Sequence, residues 1–507
     1  MRDDEPNRPP RWAAALWGAV SAGAALAMGE LTAAFTIPQA APLIAVGDAA
    51  IAISPEPLKR WTIDVFGTAD KLALLIGIVV VLGCLAALAG IANDRDRRIG
   101  PAAAIALAAI GVAAAVTRPS ASAFAAFPSV VAAVIAAALL WAWPRPAAAS
   151  DDPRGFDRRR FLWRSLTLLG GAAISGAFAR SLGTGAAVDE ARSQIRLPEP
   201  TDPAPDLPGV SDFGVKDLAP WRTPNDDFYR IDTALSVPRL DPETYRLRIF
   251  GRVDRELTFS YRDLLKRPLV ERDITLCCVS NEVGGGLVGN ARWLGVPLAD
   301  LLEEARVQDG ADQLVGRSSD GWTAGTPVEL CVDGRDAMLA VGMNGEPLPV
   351  DHGFPVRMVV PGLYGYVSAT KWLTELELTS FADFDAYWIR RNWALPSPIK
   401  TASRIDTPRG SATPGVVAVA GVAWAQHRGI GAVEVRVDDG PWHEAKLSDV
   451  SSTDTWRQWL WEWDATPGDH TLTVRATDAD GDTQTAKEAP VAPDGATGWH
   501  TVNVTVA

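Results

Sequence analysis

The sequence has few of the side chains that most often bind metals or form cross-links, with only four cysteines and five histidines in 507 residues. Cys84, Cys277, Cys278 and Cys331 follow neither zinc-site spacing nor a disulfide framework. No Cys-x-x-Cys-His motif occurs, which excludes a covalently attached c-type haem. His352 is the only histidine before residue 400, so the apolar N-terminal segments cannot supply the two axial histidines of a haem b. We therefore expect no haem in this chain.

The chain is also poor in positive charge. Its formal net charge is −13 and its pI is about 5.0, which argues against a surface that binds nucleic acid. At 507 residues the chain is too long for one domain, and two or three domains are expected. The part of the chain before about residue 180 differs from the rest, because its charges lie between long apolar stretches.

Four stretches near the N-terminus are almost free of charge, mostly apolar and long enough to cross a bilayer core of about 30 Å. They comprise residues 12–29, 72–92, 99–117 and 120–143. Helices of soluble cores rarely run so long without a charge, so we interpret them as membrane spans. The segment 37–53 is also apolar, but Pro38, Pro42, Gly47 and Asp48 interrupt it, and we expect it to lie at the interface or to re-enter. The lack of charge within the spans argues against a transport pathway.

Arginines set the predicted orientation, because cytoplasmic loops are enriched in Lys and Arg. The N-terminus, the loop 93–98 and the segment 145–164 are rich in arginine and should be cytoplasmic. The opposite loops carry chiefly Lys59, Arg60 and Arg118. Four spans then return the chain to the cytoplasm just before residue 157.

The segment 157–162 resembles a twin-arginine export signal placed inside the chain. Asp157 and Trp163 replace its usual serine and lysine, and the apolar stretch 165–179 is short, as in such signals. The alternative is the positively charged flank of an ordinary fifth helix. Both interpretations place everything after about residue 185 on the outer side. Residues 177–179 are a candidate cleavage site, and the sequence does not decide whether it is used.

The stretch around Cys277 and Cys278 is the most informative part of the chain. A strand-like run, 273–276, delivers both cysteines to a polar, glycine-rich turn that ends at Gly286. A loop that leaves a strand makes a thiolate accessible, and glycines let a bulky ligand approach the backbone. By itself this pattern also fits a buried, inert cysteine.

Further motifs follow downstream: Met343-Asn344-Gly345-Glu346-Pro347, His352-Gly353-Phe354-Pro355-Val356-Arg357, Val360-Pro361-Gly362-Leu363-Tyr364-Gly365 and Lys371-Trp372. With the turn Cys278-Val279-Ser280-Asn281, this set resembles the sulfite oxidase superfamily of molybdopterin enzymes, in which the cysteine of a Cys-x-x-Asn turn ligates molybdenum. The resemblance covers roughly residues 211–507, and His-Gly-Phe-Pro-x-Arg is its most specific part.

The resemblance implies a molybdenum–molybdopterin cofactor with Cys278 as the metal ligand. A strand's alternation would send Cys277 to the opposite face. The residues that the resemblance assigns to pterin binding are Asn225, Tyr229, Arg230, Asn281, Asp320, His352, Arg357, Ser368, Thr370 and Lys371, and those near the reaction are Cys278, Trp322 and Arg230. Because the pterin carries a phosphate, we expect His352, Arg357 and Lys371 to supply a cationic side. Without the resemblance, the 225–230 segment could equally be a turn with polar caps.

The sequence departs from sulfite oxidases at two places. Those enzymes have arginines just after the Cys-x-x-Asn turn, where this chain has Glu282 and Val283, and Trp322 stands where a tyrosine is expected near the metal. Arg230, Arg390 or Arg391 are candidate substitutes. The substrate therefore stays open, either a sulfur compound to be oxidised or a sulfoxide, such as oxidised methionine, to be reduced.

We predict a multi-domain fold with an N-terminal transmembrane α-helical bundle (1–185), a linker (186–210), an α+β sulfite-oxidase-type molybdopterin domain (211–400) and a C-terminal immunoglobulin-like β-sandwich (401–507). Strand-like runs at sandwich spacing indicate the last domain. The resemblance implies that this domain can form a homodimer.

The function that follows is a membrane-anchored, outward-facing oxidoreductase. As the resemblance implies, molybdenum would cycle between Mo(VI) and Mo(IV) while one oxygen atom moves to or from a small substrate. Electrons would pass to or from a separate carrier, either a cytochrome or a membrane redox partner. The alternative from another class is a non-catalytic surface protein that uses the sandwich for adhesion and keeps a degenerate pocket.

Overall fold

The computed structural model describes residues 9–55, 58, 61–62, 65–66, 69–118, 121–143, 158–182, 184–207 and 209–507. Contacts divide the chain into two units: Met1–Glu190 with Ala234–Arg239, and Ala191–Thr233 with Leu240–Ala507. The predictions that concern Arg2, Arg8, Lys59, Arg60, Arg145, Arg154 and Asp157 lie outside the described residues.

The first unit is helical, as its long apolar stretches predict. Its helices are α1 (Arg11–Phe35), α2 (Pro42–Ile53), α3 (Asp70–Arg95), α4 (Ile99–Val116), α5 (Phe127–Trp141), α6 (Arg158–Leu182) and the start of α7 (Thr184–Gln194). By length and composition, α1, α3, α4 and the continuous helical segment Ala123–Trp141 could cross a membrane. These four coincide with the four predicted spans, and the candidate cleavage site lies inside α6.

Small residues bring α1 and α3 into backbone contact. A Cβ atom at Gly18 would lie 2.1 Å from the carbonyl oxygen of Ala86, and one at Gly90 would lie 2.2 Å from that of Ala14. Larger side chains would push the helices apart. Close approach through small residues is the usual way in which helices associate within a bilayer.

The helices of this unit add two details to the sequence pattern. Segment 37–53 is not broken at Pro42, Gly47 or Asp48, because Pro42 occupies the first turn of α2, where its missing N–H has no intrahelical partner to lose. Beyond the predicted span 12–29, α1 continues to Phe35 and includes Glu30. The Glu30 carboxylate accepts a 3.0 Å hydrogen bond from the backbone N–H of Leu43, one of the donors left unpaired at the start of α2.

The second unit begins with two five-stranded sheets. One has the order β2-β1-β10-β5-β6 and the other contains β3-β4-β7-β8, with β9 also paired to β7. The strands are β1 (Arg246–Gly251), β2 (Leu257–Ser260), β3 (Val270–Cys277), β4 (Val288–Pro297), β5 (Gln313–Ser318), β6 (Thr323–Pro327), β7 (Met338–Met343), β8 (Glu346–Pro347), β9 (Arg357–Val359) and β10 (Leu373–Thr379). The helices are α8 (Tyr261–Leu265), α9 (Leu298–Ala305), α10 (Glu329–Val332) and α11 (Gly365–Ser368). A single core of buried residues joins both sheets.

Two further sheets form the C-terminal part. One has the order β11-β13-β17-β16 and the other β12-β19-β18-β14-β15. The strands are β11 (Ala402–Thr407), β12 (Gly410–Ala412), β13 (Gly415–Trp424), β14 (Ile430–Val437), β15 (His443–Glu444), β16 (Lys446–Leu447), β17 (Arg457–Ala465), β18 (Gly468–Asp478) and β19 (His500–Val506). Side chains of both sheets, including Val419, Trp459, Val433 and Val474, share one core. The short strands of this part agree with the strand-like runs of the sequence.

The segment predicted as a linker packs against the second unit. Arg192 donates hydrogen bonds to the carbonyl oxygens of Leu348 (2.8 Å) and Pro347 (2.6 Å). The backbone N–H of Thr201 donates to the carbonyl of Leu269 at 2.8 Å. These contacts give residues 191–202 a fixed path along this unit.

Candidate active site

Cys277 and Cys278 lie at the end of β3 and line different cavities. Cys277 closes the strand opposite Val288 and is 2% exposed. Cys278 faces a recess of about 900 Å³, including its open mouth, whereas Cys277 borders a second cavity next to the C-terminal sheets. The alternation of the strand thus separates the two thiols. Burial raises the pKa of the Cys278 thiol, although hydrogen bonds from Ser280 oppose this shift.

Asn281 shapes the turn that follows Cys278 and does not line the recess. Its backbone N–H donates to the carbonyl of Cys278 at 3.0 Å, and its side-chain oxygen accepts a 2.7 Å hydrogen bond from the N–H of Leu287. At two glycines of this region, neighbouring side chains occupy the space beside the backbone. A Cβ at Gly284 would meet the His500 ring, and a Cβ at Gly289 would meet the Phe228 ring. These two positions therefore allow protein packing and not the ligand approach expected from the sequence.

Arg357 is a buried cation at the wall of the recess. Its side chain stacks over the Trp293 ring at 4.9 Å and donates to the carbonyl of His352 at 3.1 Å. Among the described residues, no carboxylate forms an ion pair with it, and its Nε has no hydrogen-bond partner. Burial lowers the pKa of Arg357 to about 10, so the guanidinium is still charged at neutral pH.

His352 is neutral at physiological pH, contrary to the cationic role expected from the sequence. Burial and the nearby Arg357 lower its pKa to about 4. Its Nε2 lies 2.9 Å from the carbonyl oxygen of Asn225, so the neutral ring donates there and keeps Nδ1 as an acceptor. The Phe228 ring packs against it with centroids 5.5 Å apart.

Asn225 lies outside the recess and positions this histidine through its backbone. Its side chain is 2.8 Å from Asn344 and 2.5 Å from Glu346, both within the Met343–Pro347 motif. Asn344 adopts a left-handed conformation, with φ of 53°. That motif therefore holds the start of the 225–230 segment in place through Asn344 and Glu346.

Lys371 enters the recess and is held by Asp232, a residue that the sequence interpretation missed. Its Nζ lies 2.9 Å from the Asp232 carboxylate. Burial lowers the pKa of Lys371 to about 8, although the Asp232 charge partly opposes this shift. Arg230 pairs with the same carboxylate at 2.8 Å and with Asp351 at 3.2 Å, and it does not line the recess. Tyr229 does line it, stacked on Phe228 at 5.2 Å.

The two predicted hydroxyl donors do not line the recess. Ser368 donates back to the carbonyls of Leu363 and Tyr364, at 3.0 and 3.1 Å. Thr370 is fully buried, and its hydroxyl has no partner among the described residues. Ser318, at the end of β5, is another missed residue, because it lines the recess and its buried hydroxyl is likewise unpaired.

The rest of the wall is aromatic. Trp322 lines it, and the Asp320 carboxylate accepts a 3.0 Å hydrogen bond from the backbone N–H of Trp322. Tyr366, Trp388 and Trp393 continue the wall, with the Trp393 centroid 5.9 Å from Tyr366 and 6.0 Å from Trp388. The spacing of these aromatics in the sequence gives no periodic signal, so sequence reasoning did not find them.

Neither Arg390 nor Arg391 lines the recess. Both belong to the short 3₁₀ turn Ile389–Arg391. Arg391 donates to the carbonyl of Tyr387 at 2.7 Å and stacks on its ring. Glu282 and Val283 border the second cavity, on the Cys277 side.

Comparisons with known proteins match this region. The family model described as the oxidoreductase molybdopterin binding domain matches residues 234–388, a range that includes Cys278, Trp322, His352, Arg357 and Lys371. The mitochondrial sulfite oxidase of Mus musculus is 34% identical over 284 residues, which cover 47% of this chain and 51% of that protein. The chain thus spans about half the length of such curated relatives.

Two other proteins, one compared by sequence and one by structure, are also similar to this chain. The uncharacterized oxidoreductase YuiH of Bacillus subtilis is 32% identical over 155 residues, which cover 31% of this chain and 75% of that protein. The crystal structure of the sulfane dehydrogenase SoxCD from Paracoccus pantotrophus superimposes with a TM-score of 0.50 at 25% identity, covering 56% of this chain and 83% of that one. The chain therefore belongs to the sulfite oxidase superfamily of molybdopterin-binding oxidoreductases.

Proposed function

We propose that the chain is a membrane-anchored, molybdenum-dependent oxidoreductase that transfers an oxygen atom to or from a small sulfur compound outside the cytoplasmic membrane. One observation carries the proposal: the Cys278 thiol and the Arg357 guanidinium, a buried cation without a carboxylate partner among the described residues, line the same recess. A soft metal ligand beside an unneutralised cation is the pairing that an anionic metal cofactor requires.

The residues present fit a molybdenum-bound pterin. Arg357 Nε and the Ser318 hydroxyl are buried, lack partners among the described residues and line the recess. Leaving such groups unpaired costs about 1–3 kcal/mol each, which a polar ligand would recover. Cys278 would ligate the metal, while Arg357, Lys371, His352 and Ser318 would hold the pterin and its phosphate. When bound, this group supplies two-electron oxygen-atom transfer, a reaction beyond the side chains themselves.

For the substrate we favour an uncharged sulfur–oxygen compound, such as a sulfoxide, over sulfite. Arg357 and Lys371 would both face the phosphate of the pterin, and Asp232 already offsets part of the Lys371 charge. The remaining wall offers Trp322, Trp388 and Trp393 with the acidic Asp320. An oxyanion would lose its hydration there without a compensating cation, whereas an uncharged sulfoxide buries its apolar groups favourably.

The location of the reaction follows from the arginine distribution. With the N-terminus cytoplasmic, α1, α3, α4 and Ala123–Trp141 would span the membrane, and the twin-arginine-like segment would lead the second unit outward. Export of a folded domain suits a cofactor that is inserted in the cytoplasm. The C-terminal pair of sheets would be an immunoglobulin-like domain that supports a homodimer. A separate carrier, a cytochrome or a membrane redox partner, would exchange the electrons.

The alternative, a non-catalytic adhesion protein with a degenerate pocket, is less consistent with the recess. In a protein that no longer binds a cofactor, substitutions that remove the unpaired buried donors of the pocket, or that give them partners, increase stability. Arg357 and Ser318 have kept theirs unpaired within the described structure.

The test is the molybdenum and pterin content of the purified full-length protein, with Cys278→Ser and Cys277→Ser as a matched pair. We expect stoichiometric molybdenum in the wild type and in Cys277→Ser, and lost or spectroscopically altered metal in Cys278→Ser. Activity is then measured with methyl sulfoxides and with sulfite, using an artificial redox dye. Absence of molybdenum from protein made in a cofactor-competent host would overturn the proposal and leave the adhesion alternative.

A further inference from the structure

The first unit contains an apolar cleft that anchoring alone does not require. Its empty space is about 1480 Å³ when the open side is included. Side chains of α1 to α5 line it. Among the described lining residues, Ser129 is the one with a polar side chain.

Small residues create this space. Contact at Gly18 and Gly90 fixes the approach of α1 to α3. In addition, α4 contributes Ala104, Ala108 and Gly111 to the lining, and α5 contributes Ala132, Ala133 and Ala136. The short side chains at these positions leave space between the helices.

The cleft has one polar end. Ser129 is 1% exposed, lines the cleft and has a hydroxyl without a partner among the described residues. Pro42 and Leu43 line the same end, where the Leu43 N–H donates to Glu30. A Cβ at Gly29 would lie 2.9 Å from Pro42 and 3.2 Å from the carbonyl of Pro128, which places these segments together. The far end, near Leu140, is apolar.

We propose that this cleft binds an isoprenoid quinone, with the chain along the alanine and leucine walls and the ring at Ser129. A buried, unpaired hydroxyl at the end of a long apolar slot suits a ligand with an uncharged carbonyl head and a hydrocarbon tail. A phospholipid would bring a charged headgroup, which a single serine cannot neutralise.

The inference rests on the proposed function, because oxygen-atom transfer must exchange two electrons with a carrier. In the reducing direction, a quinol loses two electrons and two protons and becomes a quinone, while the sulfur–oxygen bond breaks and the oxygen leaves as water. In the oxidising direction, water supplies the oxygen atom, and the quinone takes up two electrons and two protons. A lipid-soluble carrier held by the same chain would serve either direction.

The proposed orientation assigns the quinone ring to the outer end of the cleft. If the N-terminus is cytoplasmic, α1 runs outward, so Glu30 lies towards its outer end. Ser129, in the first turn of α5, is then at that end as well, since α5 runs inward. This is also the side on which the proposed function requires electrons.

Two glycines of α3 offer a matched test. A Cβ at Gly77 or at Gly83 meets nothing within 4 Å, so a side chain can begin at either position without a clash. Gly77 lines the cleft and Gly83 does not. Gly77→Phe should therefore fill the cleft, whereas Gly83→Phe should project elsewhere, and both replacements favour the helix over glycine.

Full-length protein is purified from membranes in mild detergent, and its quinone and phospholipid are extracted and quantified per chain. Rebinding is followed by titration with a short-chain quinone. We expect the wild type and Gly83→Phe to retain quinone, and Gly77→Phe to bind it at least about tenfold more weakly. Ser129→Ala should weaken binding by several-fold without changing the thermal unfolding temperature.

Phospholipid without quinone in the wild type, or equal quinone binding by Gly77→Phe and Gly83→Phe, would overturn the inference. The same preparations are assayed for molybdenum and for activity with an artificial dye. A protein with molybdenum and dye-linked activity but no quinone keeps the proposed function and loses only the cleft ligand. A protein that binds quinone but lacks molybdenum keeps the cleft ligand and loses the proposed function.

Discussion

The Asp232 carboxylate lies 2.9 Å from Nζ of Lys371 and fixes this lysine at the wall of the recess. Asp232 also accepts a 2.8 Å hydrogen bond from Arg230, which stays at the surface. The lysine is almost fully buried, and burial lowers its pKa to about 8 while Asp232 pulls in the opposite direction. Lys371 is therefore charged at neutral pH to an extent that depends on this one carboxylate.

Asp232→Asn should make pterin retention more sensitive to alkaline pH. Without the carboxylate, the pKa of Lys371 falls below about 8, so the lysine loses its proton, and its attraction for phosphate, at a lower pH. Wild-type protein should hold its pterin up to about pH 8, whereas the variant should lose it roughly fivefold more readily at that pH if the pKa falls by one unit. The measurement is pterin released after incubation between pH 6 and 9.

Asp351→Asn is the matched control for this experiment. Its carboxylate pairs with Arg230 at 3.2 Å, and it reaches Lys371 only through its backbone carbonyl at 3.4 Å. The control should therefore follow the wild-type pH profile. Identical profiles for Asp232→Asn and the wild type would show that Lys371 does not hold the phosphate.

His352→Gln should reduce acid destabilisation of the cofactor-free protein. The pKa of His352 is about 4 in the folded chain, below its ordinary value of 6.5, so the folded state disfavours the charged ring. The stability that neutral His352 provides is complete above pH 6.5 and is lost as the pH falls towards 4, by on the order of 3 kcal/mol. Glutamine keeps a donor for the Asn225 carbonyl and does not titrate.

The expected result is a smaller drop in unfolding temperature between pH 7 and pH 5 for His352→Gln than for the wild type. His443→Gln serves as a control, because His443 is exposed on β15. An equal drop in all three proteins would mean that other groups dominate the acid response.

The sequence predicted the elements whose determinants are local. Apolar length located the four helices that could span a membrane. The local pattern of α9 is of the same kind, since Leu298, Leu301, Leu302 and Ala305 recur at helical spacing and are buried. Strand alternation separated Cys277 from Cys278. These inferences need only the residues within one element.

Residues that act through distant partners were harder to assign. Asn281 and Asn225 were expected at the pterin, but their side chains brace a turn and a neighbouring motif. Asp232 and Ser318 were missed, because their roles depend on Lys371 and on the end of β5, which are far away in the chain. Burial also changed the expected charge of His352. No single-sequence pattern encodes these long-range contacts or the resulting desolvation.

Ile231→Arg should improve the use of sulfite, whereas Val283→Arg should not. Ile231 lines the recess and is 49% exposed, so an arginine there adds a cation at modest structural cost. Val283 borders the second cavity, although the resemblance to sulfite oxidases places an arginine there. We expect KM for sulfite to fall roughly three- to tenfold in Ile231→Arg, because an exposed charge pair contributes about 1 kcal/mol. Activity with methyl sulfoxides is the reference, and a gain confined to Val283→Arg would contradict the assignment of the recess.

Trp456 links the C-terminal sheets to β3, the strand that leads to Cys278. Its ring is 2% exposed, its Nε1 donates to the carbonyl of Trp221 at 2.7 Å, and its backbone N–H donates to the Thr275 hydroxyl at 2.7 Å. Thr275 belongs to β3, and its own N–H donates to the carbonyl of Asp454. Unfolding of the C-terminal sheets should therefore be coupled to loss of the active-site strand.

Trp456→Ala should destabilise the second unit by about 3–5 kcal/mol, because it removes a large buried ring. Trp456→Phe loses some apolar packing because its ring is smaller. Loss of the Nε1 hydrogen bond should add only about 1 kcal/mol to that cost, since the Trp221 carbonyl keeps a 2.9 Å hydrogen bond from Asn290. Val416→Ala, at a 75% exposed position of β13, is the control and should have little effect.

The measurement is thermal unfolding of loaded protein with molybdenum release followed in parallel. If Trp456→Ala lowers the unfolding temperature of the C-terminal sheets while molybdenum release keeps its wild-type midpoint, the two parts unfold independently. A common downward shift of both transitions would establish that the C-terminal sheets stabilise the strand that presents Cys278.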